Sequence, residues 1–182
     1  MESRSDNYRK MDVENTTFYK DGFHARSLDS KNHPSRSKIA ALHSNISHLI
    51  PDNFRICGEN LTAIHSIKYT NLPNIFEIFS IWNDNTCLSW SDTVEYASLL
   101  DIPNVPVLYV GPWNINLIDE FSEKLDLNKQ EGFVVRPSSS FQLENFGTLV
   151  GKWVRKGHVT KNNSHWMYSK IEYNERLTFL KI

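Results

Sequence analysis

The chain has 182 residues, a formal net charge of -1, 40% hydrophobic and 23% charged residues. That composition excludes a disordered chain, and the length suits one domain with a real core rather than two large ones. No global basic field is available to attract nucleic acid, so any polynucleotide contact must come from a local patch.

In chain order, residues 1–9 read as a polar segment with no signal-peptide core. Residues 16–28 predict a β-hairpin, with β-prone Thr16–Tyr19 and Phe23–Arg26 flanking an Asp21-Gly22 turn. Pro34-Ser35 opens an amphipathic helix with Ile39, Leu42, Ile46, Leu49 and Ile50 at helical spacing, and Pro51 ends it. Strands are expected over 54–61 and 75–82. Ser91 is expected to cap a helix running to 100, and 105–110 is a further strand-like run. Residues 114–125 look helical, with Leu117, Ile118, Phe121 and Leu125 on one face. Two late strands are expected, over 133–136 and 148–155. Interleaved hairpins and helices of this kind imply an α+β fold with mainly antiparallel sheet.

Cys57 and Cys87 are the only cysteines and form no CxxC pattern, which excludes a structural zinc knuckle and a disulfide framework. No apolar run reaches membrane-spanning length. An intracellular protein, cytoplasmic or nuclear, is expected.

Six segments stand out by their order. They are Lys10-Met11-Asp12-Val13, His24-Ala25-Arg26-Ser27, Arg55-Ile56-Cys57-Gly58-Glu59-Asn60, Phe79-Ser80-Ile81-Trp82, Glu131-Gly132-Phe133-Val134-Val135-Arg136 and Lys152-Trp153-Val154-Arg155-Lys156. Each has a plain reading by itself. Lys10 is readable as a solvated lysine, Phe79 as core, Glu59 and Glu131 as surface carboxylates, and the basic run after Lys152 as a solvated face. Strand alternation puts both apolar and polar residues on each face of 75–82, so periodicity does not decide the role of Phe79. The glycines beside Glu59 and Glu131 mark a close approach by a ligand or another backbone. Lys20 precedes its aspartate directly and belongs to the hairpin turn.

Taken together and in this order, the segments resemble the nucleotidyl-transfer motifs of ATP-dependent RNA ligases, a superfamily shared with DNA ligases and capping enzymes. The resemblance implies two mainly antiparallel sheets flanked by helices, an ATP-grasp-like core with ATP in the cleft between them. It implies a domain over 10–160 with a tail over 161–182. It implies Lys10 as the nucleophile that takes AMP, Lys152 on the α-phosphate, Arg26 on a ribose or phosphate oxygen, Glu59 on the ribose and Phe79 against adenine. Glu131 would place the reacting groups and the metal. ATP and Mg2+ are the implied cofactors and RNA ends the implied substrate. Lysine chemistry suits this scheme because an amine with a suppressed proton attacks phosphorus well, and cations or a metal stabilise the developing charge.

Three departures qualify it. Val13 stands where the first motif carries glycine, a substitution expected to strain or crowd the backbone. Val154 stands where the last motif carries a second lysine, leaving Arg155 or Lys156 as substitutes. Nine residues precede Lys10 and 26 follow Lys156, which suggests a truncated or divergent copy without an appended oligonucleotide-binding domain. A catalytically impaired nucleotide- or RNA-binding remnant is therefore the alternative, and a capping guanylyltransferase the third reading.

Overall fold

The computed structural model describes residues 4–11, 13–26, 34–65, 67–126, 128–155 and 172–175. Ten strands and four helices occur among them. They are β1 (Arg4–Lys10), β2 (Glu14–Phe18), β3 (Phe23–Ala25), α1 (Ser37–Ile46), β4 (Phe54–Asn60), β5 (Phe76–Asn83), β6 (Thr86–Cys87) and α2 (Trp90–Leu99). There follow β7 (Val107–Pro112), α3 (Asn116–Lys124), β8 (Gly132–Pro137), β9 (Phe141–Gln142), α4 (Phe146–Leu149) and β10 (Gly151–Val154). They build two antiparallel sheets, a four-stranded one in the order β10-β8-β1-β7 and a six-stranded one in the order β3-β2-β4-β5-β6-β9. The α+β expectation with mainly antiparallel sheet is met.

The β2–β3 hairpin forms at the expected turn, where the Tyr19 N–H donates to Gly22 O at 2.8 Å. Helix α1 lays Ile39 and Ile46 onto the outer face of the six-stranded sheet, where Phe18, Ile56, Phe76, Ile78 and Ile81 meet them. Helix α2 adds Ala97 to that cluster, and Leu100 at its C-cap joins it. Each such side chain contributes about 1.5–3 kcal/mol when fully buried, so this layer holds most of the apolar stabilisation. Leu49, expected in the core, is 52% exposed, because a 3-10 turn (Ser47–Leu49) ends the helical face before it.

Two boundaries differ from expectation. Ser89, not Ser91, caps α2: its Oγ accepts from the Asp92 N–H at 3.1 Å, the three-residue spacing an N-cap requires. The run 148–155 is not one strand, since Thr148 and Leu149 close α4 and pairing with β8 begins only at Gly151.

The segment Arg4–Lys10 is the largest departure from what its composition suggests. It is an interior strand, paired with β7 on one side and β8 on the other. Main-chain pairing on both edges, rather than its own hydrophobicity, makes it a strand. Asp6 and Asn7 are fully buried, and the Asp6 carboxylate accepts from Ser138 Oγ at 2.9 Å. Burial raises the Asp6 pKa, with Ser138 and the Arg136 cation opposing it.

Candidate active site

The site begins at the end of β1. Lys10 lies opposite Gly132 of β8, and Gly132 lies opposite Val154 of β10. The main chain fixes this row further: the Glu131 N–H donates to Lys10 O at 3.1 Å, and the Arg155 N–H donates to Glu131 O at 3.1 Å. Three separated motif segments are thereby joined through their backbones. Lys10 Nζ then sits 2.5 Å from Glu131 Oε2, with Glu131 only 2% and Lys10 22% exposed. A carboxylate this buried loses hydration, and the lysine amine offers it a hydrogen-bonded partner of opposite sign.

Gly132 is required by close approach. A Cβ there would collide with the Trp153 carbonyl of β10, a backbone group that cannot swing aside. Gly58, the glycine before Glu59, likewise leaves room for the Phe76 ring and Glu77 O. Both glycines thus answer to neighbouring protein groups.

Alternation along β1, β8 and β10 puts Tyr8 and Lys10, Val134, and Lys152 and Val154 on one face. That face looks at the six-stranded sheet, because Tyr8 stacks on Phe79 with centroids 6.2 Å apart and planes 11° apart. Tyr8 also stacks on Trp90, at 6.0 Å and 8°. Arg136, buried on the same face, donates to Leu88 O at 2.6 Å and Phe79 O at 3.4 Å, tying the two sheets together.

The opposing wall comes from β2, β4 and β5. Since Ile56, Phe76 and Ile78 fill the outer core, alternation turns Asn15, Glu59 and Glu77 inward, in one cross-strand row. Glu59 and Glu77 are 8% and 3% exposed. Burial pushes the Glu77 carboxyl up to about 7, only partly opposed by the Arg9 cation, and its Oε2 has no hydrogen-bond partner. Burial likewise raises the Tyr8 phenol pKa, with Arg136 opposing and Glu59 adding to it.

The structure brings Lys10 and Glu131 into contact and turns Glu59 and Phe79 towards the same space. Lys152 is exposed, on the face shared with Lys10. Arg26 is exposed just beyond β3, and no hydrogen bond or ion pair joins it to Lys10 or Glu131 among the described residues. Asp12 and Lys156 lie outside the described residues. No group of three or more His, Cys, Asp or Glu residues that could hold a metal occurs among the described residues. A magnesium ion needs only one or two carboxylates when substrate phosphates complete its shell, so Glu131 fits that chemistry.

Val13 does not bear out the strain its sequence position suggests. It has no positive φ, the only non-glycine residues with one being Asn71, Asp84 and Asp101 among those described. Its side chain packs on the cluster of Met11, Leu61, Ile67, Tyr69 and Leu72, a satellite core beside the strand that carries Lys10.

Sequence reasoning assigned no role to five residues that the structure singles out. Tyr8 and Glu77 line the cleft, and Arg36 grips Glu14 through Nε at 2.9 Å and Nη2 at 2.6 Å. Asn60 donates to the same carboxylate at 3.3 Å. This bridge locks β2, β4 and the start of α1. The Tyr8-x-Lys10 alternation would have signalled the first of these, had 4–10 been read as a strand.

Two sheets enclosing a lysine–carboxylate pair make this a nucleotidyltransferase core of the ligase type. The RNA ligase family model matches residues 9–154, and the chain belongs to that family. No curated protein matches it by sequence. Among solved structures, an archaeal ATP-dependent RNA ligase matches with a TM-score of 0.58 at 18% identity, covering 84% of this chain and 42% of its own. A Naegleria gruberi RNA ligase with pyrophosphate matches at 0.57 and 18%, covering 88% and 52%. A lysine-substituted form of the latter with AMP and manganese matches at 0.58 and 17%, with the same coverage. The chain spans about half the length of these structures.

Proposed function

We propose that the chain is the adenylyl-transfer core of an ATP-dependent RNA ligase. The observation that carries this reading is the Lys10–Glu131 contact at 2.5 Å, set by main-chain bonds among β1, the segment before β8 and the end of β10. In the first step Lys10 Nζ gives up a proton, for which the Glu131 carboxylate is the nearest base among the described residues, and attacks the α-phosphorus of ATP. A nitrogen–phosphorus bond forms, the bond to the bridging oxygen breaks, and pyrophosphate leaves. AMP then passes to a 5′-phosphate on RNA, and a 3′-hydroxyl attacks that phosphorus and expels AMP.

Glu59 is assigned to the ribose, Phe79 to the adenine face, Arg26 and Lys152 to phosphate oxygens. Glu131 would hold a divalent cation, magnesium being the expected one, and such an ion neutralises phosphate charge when bound. The presence of AMP with manganese in a relative supports a divalent ion. Two free thiols, Cys57 and Cys87, fit a reducing intracellular compartment.

The alternative is a nucleotide- or RNA-binding remnant impaired in catalysis. Val154 favours it, since an apolar side chain lies in the row with Lys10 where the motif carries a lysine. A sealing assay separates the two. The protein, ATP and magnesium are incubated with a nicked RNA bearing 5′-phosphate and 3′-hydroxyl ends. Lys10-dependent joined product is the expected result, and ATP binding without product would favour the remnant.

A further inference from the structure

Residues 172–175 lie beyond the family match, yet they are threaded into the connection between β4 and β5. The Ile64 N–H donates to Glu172 O at 2.8 Å, the Asn174 N–H to Thr62 O at 3.1 Å, the Glu175 N–H to Tyr69 O at 3.0 Å and the Leu72 N–H to Glu175 O at 3.0 Å. The Asn174 side chain does more. Its Oδ1 accepts from the Tyr69 N–H at 2.8 Å, while its Nδ2 donates to Leu61 O at 3.0 Å and Ala63 O at 3.2 Å. One side chain thus satisfies three backbone groups of a connection whose one strand-like pairing among the described residues is the Ala63–Tyr173 bridge. At the rim, Lys68 pairs with Glu175 at 2.5 Å and Lys38 of α1 lies over the Tyr173 ring at 5.2 Å.

What this connection touches is the strand end that carries the nucleophile. Leu61, Ile67, Tyr69 and Leu72 pack on Met11 and Val13, and the Arg9 guanidinium lies 5.7 Å from the centre of the Tyr69 ring. Lys10 is therefore flanked on both sides by residues that lean on the connection. Tyr69 is held by the strap at both its N–H and its carbonyl.

We propose that residues 172–175 are a strap that holds the β4–β5 connection against the end of β1, and that Asn174 is a positioning residue for Lys10. The proposal rests on the adenylyl-transfer reading for its kinetic consequence. Its structural consequence stands independently. A small displacement of a nucleophile is costly in rate, because attack demands alignment with the leaving group.

The test is Asn174→Ala in the full 182-residue chain, with Asn174→Asp as an intermediate that keeps the acceptor for Tyr69 and loses both donated bonds. Single-turnover transfer from α-labelled ATP and amide hydrogen exchange are measured on each. The alanine variant is expected to lower the rate constant of adduct formation about tenfold, with KM for ATP within about twofold. The aspartate variant should fall between. Exchange should quicken at Tyr69, Leu72 and Arg9–Met11, and stay unchanged at Ile78 in the outer core. A loss of amplitude at unchanged rate constant would mean only less folded protein, and would overturn the proposal. So would faster exchange that stops at residues 61–75. If the wild type forms no adduct, the adenylyl-transfer reading fails, and the exchange at Arg9–Met11 still decides the strap.

Discussion

The middle of the six-stranded sheet buries Phe76, Ile78 and Ile81 against two helices, whereas the centre of the four-stranded sheet is the run Arg-Ser-Asp-Asn-Tyr-Arg-Lys. The first is held by apolar packing and presents polar groups on its other face. The second is held by pairing on both edges, by smaller aromatic clusters such as Tyr8–Phe79–Trp90 and Phe133–Trp153, and by polar anchors such as Asp6–Ser138 and Arg136–Leu88. Each kind of damage should therefore show differently. Loss of packing should unfold the molecule, and loss of register should misplace Lys10 and Lys152 in a molecule that remains folded.

The largest effect on stability belongs to the packed sheet. Phe76→Ala removes a fully buried ring and should cost about 3–5 kcal/mol, read by denaturant unfolding. A cost below about 1 kcal/mol would contradict the assignment of the main core to that face. Next is Glu77, the buried carboxyl on the inner side. Its folded pKa of about 7 exceeds the ordinary 4.5, so the folded state keeps a proton that the unfolded state has lost. Stability therefore falls as pH rises from about 4.5 to about 7, and Glu77→Gln should remove that fall. At pH 8 the variant should be the more stable by up to about 3 kcal/mol, and at pH 4 indistinguishable. Melting temperatures that run parallel across this range would refute the account of Glu77.

Gly132→Ala probes register. The new methyl must push β10 away from β8, at a cost of about 1–3 kcal/mol. Nucleotide transfer should fall further than stability does, because Lys152 rides on β10. Equal losses would blur the contrast between the two sheets. Lys152→Ala is the smallest change in stability, within about 0.5 kcal/mol for an exposed side chain, yet it should slow adduct formation by about tenfold or more. A variant with the wild-type rate would remove Lys152 from the phosphate site.

The sequence made the packed sheet easy to read and the other sheet hard. Asp21-Gly22, the 3.6-residue spacing in α1 and the apolar run at 75–82 are local signals, and each element formed within a few residues of its expected place. β1 carries no such signal, because its partners β7 and β8 are about a hundred residues away and supply the reason it is extended. The motif segments were legible as a set because their order is preserved, whereas the Lys10–Glu131 contact emerges only from the pairing of β1 with β8. Glu77 and Tyr8 were hidden because each needs a known partner strand before its face can be assigned. Val13 is a related case: its ordinary backbone and its seat against Leu61, Ile67 and Leu72 depend on residues about fifty positions away, which the motif comparison does not show. The strap at 172–175 is a contact across more than a hundred residues that no local pattern announces.

The most direct test of the central claim is to find where AMP resides. Purified protein is incubated with ATP and magnesium, digested, and its peptides mapped by mass spectrometry, alongside Lys10→Ala and Lys20→Ala. Adenylylation at Lys10, absent from Lys10→Ala and retained in Lys20→Ala, is the predicted result. AMP on another lysine, or none on a folded protein that binds ATP, would contradict the account of Lys10 as the nucleophile.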